Sequence, residues 1–386
     1  MACVALLAAA CADMPKLPVD TDFQGQPVRT TVDAPEAKYY LETWLQGRRG
    51  DAMLDARIAE LQVRSDEFAS REALQSISQT FSVDFATLHF ADQLLKQDCH
   101  RDINRRFAAA LAADRRAHPA AQRYVVLFVP GWDYLANGQQ TGADFREPRR
   151  LAAGFGLENH LVPLPPNGGV EENARVVADA VRRQAGQGKE ILIAGASSAG
   201  PAIHLALGRL LTADERRPVK AWLNLGGILQ GSPLVDLALR WPQVWLLNAY
   251  MWSKGWDRAA IESMSVERSR ARFATLRLDP ELLVINYLGV PLSGQVGRFA
   301  SDKYPLLRAL GPNDGLTLLA DAIVPDTPVI VAFGSDHFFA DDPRINDKTL
   351  AMMALVVDAL EGVDRPRCGH ANIRVPPTAA VYAPVQ

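Results

Sequence analysis

Ile191-Leu192-Ile193-Ala194-Gly195-Ala196-Ser197-Ser198-Ala199-Gly200 is an apolar run that breaks into small residues and then becomes helix-forming. An uninterrupted apolar run of this length suits a strand buried on both faces of a parallel sheet. A serine on the sharp turn between such a strand and a helix is forced into a strained backbone region, so the residues two before and two after it must be small. Gly195 and Ala199 meet that demand for Ser197. The helix that follows turns its first amides back toward the serine, and the Ser198 N–H is then a donor for negative charge that develops nearby. Ser198 is the rival nucleophile, but Ala196 would then occupy the first small position and the Gly-x-Ser-x-Ala-Gly spacing is lost.

Outward from this turn the chain alternates strand and helix patterns. Tyr124–Val129 is a continuous β-branched and aromatic run that ends at Pro130-Gly131-Trp132-Asp133. Further strands are expected at His160–Leu164, Glu190–Ala194, Val219–Leu225, Leu282–Tyr287 and Pro328–Phe333, with helices at about 170–184, from Ser197 to about Leu211, and at 347–360. This interval indicates βαβ units and an open sheet covered on both faces, the α/β class. Sites in such sheets form at the carboxyl ends of the strands, where Gly131, Ser197 and Gly227 fall.

A serine hydroxyl is a weak nucleophile at neutral pH and needs a base, which needs a carboxylate to fix its tautomer. Asp314 lies in the loop after Leu282–Tyr287, and His337 stands just past the last strand. The order Ser, Asp, His along the chain is that of α/β-hydrolases. Pro312-Asn313-Asp314-Gly315-Leu316 and Asp336-His337-Phe338 resemble the acid motif and histidine turn of the bacterial lipase and esterase branch of that superfamily. Gly226-Gly227-Ile-Leu-Gln-Gly231-Ser232-Pro233-Leu234 is similar to the segment after the strand that follows the nucleophile, with Leu229 in place of a histidine. The resemblance covers about residues 122–345 and implies an α/β-hydrolase fold. It implies Ser197 as nucleophile, His337 as base, Asp314 as orienting acid, and backbone oxyanion donors at Trp132 and Ser198. A glycine, here Gly131, lets that first loop approach closely. A rival pair, Asp336 with His370, lacks a strand before the histidine. Many relatives brace the histidine loop with calcium through acidic residues; the place two after His337 is Phe339, so no metal is expected, nor any cofactor.

Residues 236–280 interrupt the alternation and hold four of the seven tryptophans, Trp241, Trp245, Trp252 and Trp256. An aromatic-rich helical insert near the active edge reads as a lid or a wall of an apolar substrate pocket. Residues 35–118 read as helical, from Asp51, Asp66 and Asp84 onward, and carry no catalytic motif. His89 and His100 have no partners at metal-ligand spacing there. Residues 1–34 read as a signal-like segment and linker. The apolar stretch from Met1 to Cys11 resembles a lipoprotein signal, although no Lys or Arg precedes it and Ala8 stands where leucine is usual. Lipidated Cys11 would anchor the protein to a membrane of the cell envelope, on its surface or in the periplasm. Cys99 and Cys368 could then pair in an oxidising compartment. The core is expected at 119–235 and 281–362, and the tail at 363–386.

A net charge of −3 and pI near 6.2 leave no basic footprint for nucleic acid. The expected activity is hydrolysis of carboxylic esters with lipophilic acyl groups, small-molecule or lipid. The alternatives are acyl transfer on the same triad, or a degenerate hydrolase acting as a lipid-binding envelope protein.

Overall fold

Six parallel strands run in the order β4-β3-β5-β6-β7-β8: β3 is Tyr124–Val129, β4 Glu158–Leu161, β5 Glu190–Ala196, β6 Val219–Leu225, β7 Leu283–Val290 and β8 Val329–Phe333. The structure is a computed structural model and describes residues 14–63, 70–165, 167–362, 366 and 368. Every residue of β3 and β7 is buried, as continuous apolar composition requires of strands covered on both faces. The strand expectations hold to within a few residues; β4 ends at Leu161 rather than Leu164, and β7 runs on to Val290.

Side chains alternate between the two faces. One face, with Val126, Phe128, Leu192, Ile285 and Ile330, packs against helices Asp98–Ala113, Arg146–Phe155 and Ile345–Glu361. On the other, Leu127, Ile193 and Val284 meet helix Val170–Ala185 and the helix beginning at Ala199. Buried Asn224 and Asn286 sit opposite each other on β6 and β7 and bond side chain to side chain at 3.0 Å. They also reach the Ala322 carbonyl and the Val324 amide, which ties the turn Leu319–Ala322 to the sheet.

Residues 17–32 are not a linker. They form a hairpin of β1, Leu17–Phe23, and β2, Gln26–Val32, joined by Gln24 and Gly25, both at positive φ. Two such residues between antiparallel strands match the strands' own twist. The hairpin buries Val19, Phe23, Val28 and Val32, with Thr21 and Thr30 between them on the same face and Asp20 and Arg29 turned outward, so composition alone resembles a linker. Phe23 stacks on Phe333 of β8 at 4.4 Å.

Helices Ala52–Val63 and Arg71–Thr80 follow the expected pattern, but the single helical pattern read from Asp84 to Ala113 is two helices, Val83–Lys96 and Asp98–Ala113, divided where Gln97 is extended. With the hairpin, the first three cover the β7–β8 end of the sheet, where Leu288, Val290, Val329 and Val331 meet Tyr40, Phe85 and Phe90. The fourth covers the opposite face. Cys99 and Cys368 form a disulfide with Cα atoms 5.2 Å apart, bringing the tail to the start of this helix. Cys11 and His370 lie outside the described residues.

Candidate functional site

The turn after β5 holds Ser197 at φ 55°, in the left-handed region that a non-glycine residue adopts only when its surroundings impose it. Three features impose it here. The Ser197 amide donates to the Leu225 carbonyl at 3.2 Å, and its carbonyl accepts from Ile228 at 3.1 Å and Gly200 at 3.0 Å. At Gly195 a Cβ would lie 2.1 Å from Cδ1 of buried Ile203, so any larger residue would displace that side chain from the place where the helix crosses the strand end.

Asp314 is fully buried. Its Oδ1 accepts from the amides of Leu316 at 2.9 Å and Thr317 at 2.8 Å, which leaves Oδ2 to face His337 Nδ1 at 2.7 Å. Thr317 Oγ1 donates to the Gly231 carbonyl at 2.9 Å, binding the acid loop to the segment after β6. His337 donates its amide to the Asp314 carbonyl at 2.9 Å, and its Nε2 lies 2.9 Å from Ser197 Oγ. The three sequence-predicted side chains thus form one line from acid to imidazole to hydroxyl across three strand ends. Burial by itself would lower the His337 pKa. The charge and hydrogen bond of Asp314, with the charge of Asp336, outweigh it and hold the imidazole above its ordinary value.

Gly131 packs against this turn: a Cβ there would meet that of Ser197 at 3.5 Å and the Ala196 carbonyl at 3.6 Å. Trp132 follows Gly131 and Ser198 follows the serine, and neither amide has a backbone acceptor among the described residues. Free backbone donors close to a hydroxyl can receive an anionic oxygen.

Asp336 does not join the line. Its Oδ2 accepts from Gly297 at 2.9 Å and its Oδ1 from Phe338 at 2.9 Å, and burial pushes its carboxyl above the usual range. Leu229, in the place of the histidine of similar proteins, is a core residue. Sequence reasoning missed the holders of the acid loop, Leu316, Thr317 and Gly231. Their signal, an acid followed by residues whose amides fold back on it, is that of an ordinary Asx turn.

The insert divides in two. Trp256 is half-buried and meets Trp132 edge-on at 5.6 Å. Trp132 and Val235 pack on a small cluster that includes Ala202, Leu205 and Met264. Trp241, Trp245 and Trp252 instead face solvent at 78%, 73% and 86% exposure, so these three do not line a pocket.

No protein-family profile matches the sequence, and no curated protein matches it. Among solved structures, the chain is similar to a metagenomic carboxyl esterase, with 18% identity, 63% of this chain and 77% of that chain covered, and a TM-score of 0.50. It is also similar to the mature form of a Bacillus licheniformis lipase, with 20% identity, 62% and 94% covered, and a TM-score of 0.48. The fold is that of the α/β-hydrolases.

Proposed function

We propose that this protein hydrolyses carboxylic esters through an acyl-enzyme on Ser197. The observation that carries the reading is the unbroken line from Asp314 Oδ2 to His337 Nδ1, 2.7 Å, and from His337 Nε2 to Ser197 Oγ, 2.9 Å. Ser197 Oγ attacks the ester carbonyl while His337 Nε2 takes its proton, and the buried carboxylate of Asp314 stabilises the imidazolium. The oxyanion rests between the amides of Trp132 and Ser198. Collapse of the tetrahedral species breaks the bond to the alcohol, which leaves with the proton from His337. Water, deprotonated by the same imidazole, then attacks the acyl group and returns Ser197.

The acyl side chain is apolar in this proposal, because Trp132, one residue past the Gly131 that packs on the serine turn, meets Trp256 ring to ring. A fluorophosphonate probe should label Ser197, and Ser197→Ala should abolish labelling and lower turnover by roughly three or more powers of ten. A Ser197→Ala variant that keeps its esterase activity overturns the reading. Hydrolysis of p-nitrophenyl esters should improve with acyl length; a preference for acetate would remove the lipophilic substrate. Product analysis with an added alcohol distinguishes hydrolysis from acyl transfer. Lipidation of Cys11 is part of the proposal, and a membrane-bound form whose mass includes an intact Met1 overturns it.

A further inference from the structure

Among the described residues, seven large apolar side chains are exposed, and five of them lie between positions 241 and 252: Trp241, Trp245, Leu246, Tyr250 and Trp252. Large apolar residues scattered singly on a surface need no explanation, but a contiguous group marks a contact surface. Trp245 and Trp252 lie seven residues apart on helix Gln243–Lys254, two turns along the same face, and Trp241 lies just before the helix begins. Met251 is the buried residue of this helix and lies about 100° round it from Trp252. The aromatic stripe is thus the outward face of an element seated on the protein at Met251.

We propose that this stripe is a docking face for a lipid surface carrying anionic headgroups. Three observations select that occupant. Indole and phenol rings combine an apolar body with a polar edge and settle at the level of the headgroups. From Leu237 to Trp256 the chain has no acidic residue, and its two charges, Arg240 and Lys254, are both positive and bracket the stripe. Such an arrangement fits a helix lying in the plane of an anionic interface. A second copy of the chain meeting this face by two-fold symmetry would instead bring two basic-ended surfaces of equal sign together.

The helix that carries the stripe also reaches toward the site through rings. Tyr250 meets Trp256 edge-on at 5.6 Å, and Trp256 meets Trp132 edge-on at 5.6 Å. Tyr250, on the same helix as Trp245 and Trp252, therefore lies two ring contacts from Trp132. Docking requires no chemistry at Ser197, so it stands or falls apart from the proposed hydrolysis.

The test is flotation of the full chain with vesicles of phosphatidylcholine alone or mixed with phosphatidylglycerol. Cys11→Ser is present throughout so that no acyl anchor contributes, and Ser197→Ala is present so that lipid is not consumed. Binding to the mixed vesicles is expected to be tighter than to phosphatidylcholine alone and to weaken with salt. Combined Trp241→Ala, Trp245→Ala and Trp252→Ala should lower the bound fraction about ten-fold. The same triple substitution with Ser197 intact should keep fluorophosphonate labelling and hydrolysis of a water-soluble short-chain ester, which shows that the fold is retained. Equal vesicle binding by the triple variant, no binding by the parent, or a dimer in sedimentation that the triple substitution dissolves would each overturn the proposal.

Discussion

The N-terminal region and the tryptophan-rich insert are both helical additions to the same sheet, and both are rich in apolar residues. They treat those residues oppositely. Residues 35–96 bury Tyr40, Leu41, Ile58, Phe85 and Phe90 completely, because the β7–β8 end of the sheet and the hairpin offer them a complementary surface. Residues 241–252 leave three tryptophans in water, because their helix is seated by Met251 and little else. Apolar content states that a residue gains by being covered, and only the neighbouring elements decide what covers it.

The regions also touch the candidate site from different sides. Buried Asp84 accepts from the Asp33 amide at 2.8 Å and from the Ser293 amide at 2.7 Å, and the loop that follows donates the Gly297 amide to Asp336, next to His337. The insert instead reaches Trp132 through Trp256. The N-terminal region therefore bears on the histidine, and the insert on the loop beside the serine.

Truncation at matched aromatic positions should separate the two regions most strongly. Phe90→Ala should cost about 3–5 kcal/mol in urea unfolding, whereas Trp252→Ala should stay within about 0.5 kcal/mol. Equal losses would show that the insert is packed as firmly as the N-terminal region. Next in size, Asp84→Ala should cost about 1–3 kcal/mol, since the amides of Asp33 and Ser293 lose their acceptor inside the protein. Unchanged stability would mean that this contact does not hold the region to the core.

Asp84 also links that contact to pH. Burial, with the nearby charge of Asp33, pushes its carboxyl from 3.8 up to about 8. Between those values the folded chain keeps a proton that the unfolded chain releases, so stability from this group is full below 3.8 and is lost as pH rises through 8. Asp84→Asn should flatten that slope; a stability profile with the same slope in both proteins would exclude Asp84 as its source.

The smallest effect concerns His337. In the proposed mechanism the neutral imidazole is the base, so kcat/KM should fall as pH drops through a pKa above the ordinary 6.5. Asp336 contributes to that elevation, so Asp336→Asn should move the acid limb to lower pH. An acid limb that stays in place would show that Asp314 alone sets the imidazole.

Much of this was legible in residue order. The alternation of apolar runs and helical patterns names an open α/β sheet, since a strand buried on both faces has no polar position to spare. Ser197, Asp314 and His337 could be found singly because each follows a strand, and parallel strands end on one edge. The hairpin at 17–32 was hidden because its Pro, Thr, Asp and Arg residues have a linker's composition. The split between Trp256 and Trp241, Trp245 and Trp252 was hidden because all four share one helical, aromatic texture.

Local chemistry therefore determined the strands, the serine turn and the identities of the acid and base, because backbone sterics and apolar periodicity act over a few residues. Tertiary structure decided the rest: the distances between residues more than a hundred positions apart, the covering of the sheet by the N-terminal region, and the outward turn of the tryptophans. These depend on which surfaces meet, and that is a property of the folded chain as a whole.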